Sequence, residues 1–127
     1  MDIKNPPELI NTKHGFYQYS PMPSEEDLRQ YYAEKYYQHG LGSYSVSYAN
    51  EEIEYFKLKA RLIYMKVSSL MDMKKEKIFI DIGCGEGWAL NEFNKRGHTV
   101  QGVDFSRYGV EKFHPHLLSF FEQGNIY

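Results

Sequence analysis

At 127 residues the chain is long enough for one domain, or for one domain with a small appendage. Hydrophobic residues at 42% and charged residues at 25% suit an ordinary globular protein, and a net charge of −2 gives no reason to expect nucleic acid or an anionic membrane as partner. One cysteine, Cys84, excludes an internal disulfide and suits a reducing cytosol, and no apolar run is long enough to span a bilayer, so a cytoplasmic location is the expectation.

Residues 1–23 read as irregular. Pro6-Pro7 and Pro21-Met22-Pro23 break any helix or central strand, while His14-Gly15-Phe16-Tyr17-Gln18-Tyr19 suits a short extended piece, packed by its aromatics or touching a substrate. Ser24 can cap a helix whose first turn holds Glu25, Glu26 and Asp27, where the dipole favours anions; that helix is predicted to run to about Gln38. Leu28, Tyr31, Tyr32 and Tyr36 share one of its faces, and Gly40 and Gly42 end it. Residues 41–49, rich in Gly, Ser and Tyr, are predicted to be a mobile link. A long amphipathic helix follows over about 50–71, with Asn50 as cap. Its stripe Ile53, Phe56, Ala60, Ile63, Val67 and Leu70 is predicted to pack on one face of a sheet, with Lys57, Lys59, Arg61 and Lys66 off the stripe as a solvated surface.

After a charged connector, Ile78-Phe79-Ile80-Asp81-Ile82 is predicted as a buried parallel strand. Gly83, Gly85 and Gly87 then alternate with Cys84 and Glu86. Lacking Cβ atoms, these glycines can take positive φ and let a ligand lie against the main chain. The next helix, about Glu86 to Arg96 and ended by Gly97, points its free N–H groups into the same space. A second strand, about Thr99 to Val103, ends on Asp104, about 20 residues past the glycines, where a βαβ unit sets a carboxylate against ribose hydroxyls. An ionised carboxylate only accepts, so it can take both vicinal hydroxyls.

Asp81-x-Gly83-x-Gly85-x-Gly87, followed by Val103-Asp104, resembles the first two motifs of class I S-adenosylmethionine-dependent methyltransferases, over roughly Ile78 to Asn125. The dinucleotide pattern fits less well, because it needs glycine or alanine where Trp88 stands. The resemblance implies an α/β fold: an incomplete Rossmann-like parallel sheet (strands 1–3) over residues 73–127, preceded by a helical, tyrosine-rich segment over residues 1–72. It implies S-adenosylmethionine as cofactor, or S-adenosylhomocysteine as product, held by Asp81, Gly83, Cys84, Gly85, Glu86, Gly87 and Asp104. Phe105 falls where the family commonly sets a residue against adenine. Asn125 stands where the family often has the acid that meets the adenine amino group. Segments before the first motif often form a lid in this family, which makes Tyr31, Tyr32, Tyr36 and Tyr37 candidates for covering the cofactor and shaping the acceptor pocket. The acceptor is expected to be a small molecule, and no residue is assigned as a catalytic base. The family's later strands are not present in the sequence. The chain is therefore expected to resemble only the N-terminal, cofactor-binding part, to be inactive by itself, and to self-associate through the open edge of its first strand.

The remaining residues leave choices open. Trp88 packs on the sheet or borders the cofactor. Glu86 is a partly exposed loop acid or a contact to the cofactor's amino-acid end. Cys84 has no base nearby in sequence and is expected to fill a small slot. Ser106 can cap a short helix through about Phe113, stopped by Pro115, and Leu117 to Glu122 fits strand or helix, with the third strand favoured by position. His114 and His116 lack a matching Cys/His cluster, so no metal site is expected. Two other functions stay compatible: a nicotinamide-dependent oxidoreductase domain, and a non-catalytic module whose tyrosine-rich helices bind a partner.

Overall fold

The computed structural model describes residues 8–32, 34 and 47–124. The architecture is α/β, with a three-stranded parallel sheet and helices against it. The chain opens with a hairpin, β1 (Glu8–Asn11) paired antiparallel to β2 (Tyr17–Ser20), whose loop closes through Gly15 at φ 81°. The extended piece expected over residues 14–19 is met in part by β2, whereas β1, which follows Pro6-Pro7, falls in the stretch expected to be irregular. Helix α1 (Glu25–Tyr31) starts as predicted: the Asp27 N–H donates to Ser24 Oγ, and the Asp27 carboxylate accepts from the Ser24 backbone. The predicted extension of this helix to Gln38 lies largely outside the described residues.

Helix α2 (Asn50–Leu70) begins one residue earlier than the predicted cap implies. Ala49 is the capping position; its N–H donates to the Glu52 carboxylate at 2.8 Å, so Asn50 is the first helical residue instead of the cap. Helix α2 packs on α3 (Trp88–Lys95) instead of directly on the sheet, its expected place, and its inward stripe also differs at its C-terminal half. Tyr64 replaces Ile63 there: its ring meets Phe93 edge-on at 5.1 Å and its hydroxyl reaches His98 at 3.2 Å, while Ile63 and Leu70 are exposed. The Lys77 N–H donates to His98 Nδ1, which leaves the proton on Nε2 to donate to Tyr64. No helix among the described residues is long and apolar enough to cross a membrane.

The sheet order is β3 (Ile78–Ile82), β4 (Thr99–Asp104), β5 (Phe121–Gln123), all parallel. Helix α3 (Trp88–Lys95) crosses between β3 and β4 and covers one face. Phe93 stacks on Phe79 at 3.9 Å, and Leu90, Val100, Val110 and Leu117 complete a small fully buried core. Helix α4 (Tyr108–Phe113) and the 3-10 turn Pro115–Phe120 close that core and lead into β5, which resolves the ambiguous stretch 117–122 as turn, then strand. The expectation of a strand buried on both faces fails at β3. Ile78, Ile80 and Ile82 alternate onto the face that no described helix covers, and Ile78 is 76% exposed. A purely apolar strand pattern signals two covered faces; here only the Phe79–Asp81 side is covered.

Candidate functional site

The site lies at the C-terminal ends of β3 and β4. As β3 ends, the Gly83 and Cys84 N–H groups both donate to the Val103 carbonyl, and the Gly87 N–H donates to the Cys84 carbonyl before α3 begins. Gly83, Gly85 and Gly87 have φ of 77°, 54° and 79°. An L side chain is strained at these values, so the alternating glycines are a backbone requirement. The glycines face different surroundings. A Cβ on Gly83 would meet nothing within 4 Å, whereas one on Gly87 would meet Val110, His114 and Leu117. The first glycine therefore fronts open space and the third faces the core.

Asp104 faces this turn. The Gly85 N–H donates to Asp104 Oδ2 at 2.8 Å, and the Ser106 N–H donates to Oδ1 at 3.1 Å. Each oxygen keeps a further lone pair, so the carboxylate can still accept two hydroxyls. Asp81 sits on the same side, one strand over. Burial, and then the negative charge of Asp104, push its carboxyl above the ordinary carboxylate range. Within the β3–β4 ladder the Asp81 backbone is paired, but its carboxyl makes no hydrogen bond or ion pair among the described residues. Two carboxylates held near one another without a cation favour a positively charged guest.

This electrostatic strain has a measurable sign. Asp81 binds its proton more tightly in the folded chain than in the unfolded one, so stability falls as pH rises above the unfolded value of 3.8. Asp81→Asn is expected to raise the melting temperature at pH 7, with the gain disappearing toward pH 4. The same variant is expected to weaken binding of a cationic ligand roughly 10-fold, the worth of one charge-assisted hydrogen bond. Thermal melts across that pH range, with calorimetric titrations at pH 7, check both signs.

Glu86 is not the partly exposed loop acid of one of its two expectations, and it lines the recess beside the glycine turn. It is 2% exposed, with Oε1 accepting from the Tyr48 hydroxyl at 2.8 Å and Oε2 from Trp88 Nε1 at 2.7 Å. Burial raises its pKa, and these two donors oppose the rise. Its backbone carbonyl accepts from His114 Nδ1 at 2.6 Å. Glu86 thus braces the turn and ties it to the segment before α2. Cys84 fills a slot against Gly102, and burial pushes its thiol up to about 12, so it is not a nucleophile at neutral pH. Trp88 packs on neighbouring helical and loop residues instead of on the sheet: it stacks on Phe56 at 5.5 Å, meets His114 edge-on, and lines the recess above the glycines. No group of three or more His, Cys, Asp or Glu among the described residues could hold a metal ion.

Two recesses lie near the strand ends, one lined by the glycine turn and one by Phe105, the residue after Asp104. One, of about 290 Å³, lies between α2 and the glycine turn, with Phe56, Lys59, Ala60 and Ile63 on one wall and Asp81, Gly83 and Gly85 on the other. The second, of about 330 Å³, is lined by Glu25, Arg29, Phe105, Gln123 and Gly124. Gln123 Nε2 donates to the Phe105 carbonyl and the Gly124 N–H to the Asp104 carbonyl, which fixes the loop after β4 against the end of β5. The Tyr32 ring stacks on Phe105 at 5.3 Å and 6°. Of the four lid candidates, Tyr32 therefore reaches the site and Tyr31 packs edge-on against Tyr32, while Tyr36 and Tyr37 lie outside the described residues, as does Asn125.

No family model, curated protein or solved structure matches the chain. Its function is accordingly read from the geometry of the turn and the two recesses. Sequence reasoning missed several residues of that geometry. Phe56, Lys59 and Ile63 reach the first recess from a helix read only as a packing element. Tyr48 finds Glu86 from 38 positions away, which no local pattern announces. Gly109 did carry a signal, a glycine inside a helix, and it marks a close backbone approach: a Cβ there would lie 2.7 Å from the Gly85 carbonyl oxygen.

Proposed function

We propose that the chain is the S-adenosylmethionine-binding part of a methyltransferase with a Rossmann-like sheet, acting on a small-molecule acceptor. The observation that carries this reading is Asp104 bonded to Gly85 across a turn of three left-handed glycines, with open space in front of Gly83. That arrangement fits an adenosyl group bearing a cationic sulfur. Asp104 would take the ribose hydroxyls, the glycine main chain would lie along the amino-acid end, and Phe105 beside the second recess would take the adenine face. Asp81 and Asp104 together favour the positive charge.

The cofactor, when bound, supplies an activated methyl group on a sulfonium, which is its own leaving group. The chain's residues have correspondingly little covalent work: they hold, orient and exclude water. Glu86, Tyr48 and Trp88 keep the turn in one shape, and Tyr32 covers Phe105.

Calorimetric titration at pH 7.5 with S-adenosylmethionine, S-adenosylhomocysteine and NAD tests the reading. Both adenosyl compounds are expected to bind one to one with dissociation constants on the order of 1–50 μM, about −6 to −8 kcal/mol, and NAD to give no heat. Tighter binding of NAD would support a nicotinamide enzyme. A folded chain that binds none of the three would leave the interaction module as the better account.

A further inference from the structure

Helix α2 carries a second apolar stripe, on the face turned away from the domain. Ile53, Phe56, Ala60, Tyr64 and Val67 form its inward face, with Ala60 fully buried. Tyr55, Leu58, Leu62 and Met65 lie on the opposite side of the helix, and each is 54–64% exposed. Their steps of three, four and three residues are those of a helix packed along a seam. A helix on the surface of a monomer needs one apolar face, so a second one opposite it marks a contact with something else.

Two observations identify what covers it. Charge is divided along α2, with Glu51, Glu52 and Glu54 at the N-terminal end and Lys57, Lys59, Arg61 and Lys66 beyond them. A second α2 running antiparallel brings each acidic end toward a basic half, whereas a parallel one sets three acids against three acids. The Glu51 and Lys66 side chains make no ion pair among the described residues, so both are uncommitted. The stripe also ends in a recess of about 440 Å³, lined by Asn50, Glu51, Glu54, Tyr55 and Leu58. Antiparallel pairing about the middle of the stripe sets Leu58 against Leu62 and Tyr55 against Met65. The flexible Met65 of one copy then enters the recess of the other, and Lys66 follows it to the acidic end. Lys59 and Arg61 flank the middle on the two sides of the stripe, where salt screens their repulsion. Each copy supplies both the recess and the side chain that fills it, as a two-fold interface requires.

We infer that the chain forms a two-fold dimer in which the outer stripes of two α2 helices pack antiparallel, Met65 and Lys66 of each copy meeting Tyr55 and Glu51 of the other. This surface is separate from the open edge of β3 and from the glycine turn, and the inference does not rest on the proposed function.

Sedimentation equilibrium of the intact chain tests it. The chain is expected to give a dimer of its 15.0 kDa mass, with a dissociation constant on the order of 10–100 μM. Leu62→Glu is expected to weaken association about 10-fold or more, and to leave the helix content of the dilute chain unchanged, since position 62 is exposed. Ile80→Lys, on the open face of β3, is expected to leave association within about twofold. Lys66→Glu and Glu51→Lys are each expected to weaken it about 5-fold, as for an exposed ion pair, and the two together to restore it. A chain that stays monomeric at about 0.5 mM, well above the expected range, overturns the inference. So does a dimer that Leu62→Glu leaves intact, or one that only Ile80→Lys disrupts, which would put the interface on β3. A double variant no better than either single one overturns the antiparallel arrangement.

Discussion

Gly109→Ala is expected to destabilise the chain by about 2 kcal/mol and lower its melting temperature by roughly 8 °C. The added Cβ would lie 2.7 Å from the Gly85 carbonyl oxygen and 3.0 Å from Glu86 Cα. Both are main-chain atoms of a turn already fixed by Asp104, His114 and the Val103 carbonyl, so neither can yield alone. Helix α4 must move outward instead, and it takes Val110, fully buried, with it. Overpacking of this kind costs about 3 kcal/mol at its upper end, and alanine returns about 1 kcal/mol in helix propensity. Gly97→Ala is the control. It has φ 83° but nothing within 4 Å, so it bears backbone strain of about 1 kcal/mol and no clash. Chemical denaturation of both variants distinguishes a buttressed turn from a merely left-handed one.

The second large effect is on binding. Asp104→Ala is expected to weaken S-adenosylhomocysteine roughly 100-fold, and Asp104→Asn roughly 10-fold. Alanine removes the acceptor proposed for both ribose hydroxyls and frees the Gly85 and Ser106 N–H groups that now define the turn. Two hydrogen bonds to a charged group are together worth about 3 kcal/mol. Asparagine keeps one acceptor oxygen, and so holds either the Gly85 contact or a hydroxyl in good geometry. Calorimetric affinities ordered Asp, Asn, Ala with these spacings would place the carboxylate against the ribose. Equal affinities for all three would remove Asp104 from the site.

The glycine turn and Asp104 were legible in the sequence because their demands are specific to residue type: positive φ calls for glycine, and strand register places the acid opposite it. Other features depend on partners distant along the chain. The burial of Glu86 comes from Tyr48, Trp88 and His114, and an acid between glycines reads locally as solvated. Hydrophobic periodicity cannot choose between Ile63 and Tyr64, which are adjacent; the ring of Phe93 and the imidazole of His98 decide for the tyrosine. The strand β3 was read correctly in type and limits, yet its isoleucines lie open, since a run of apolar residues says that both faces want cover and not that cover is present. Stretch 117–122 was ambiguous because it is two things, the end of a 3-10 turn and a three-residue strand.

We propose that the main chain between Gly83 and Gly87 receives an adenosyl ligand with Asp104 beside it. Backbone amide resonances of the glycines report on it directly in a ¹⁵N correlation titration with S-adenosylhomocysteine. The Gly83 and Gly85 amides are expected to shift furthest, with Phe105 following, while Gly15 in the hairpin loop and Gly97 at the far end of α3 stay in place. Saturating ligand that leaves Gly83 and Gly85 unmoved, or that moves the Ile78–Ile82 face instead, would contradict the account.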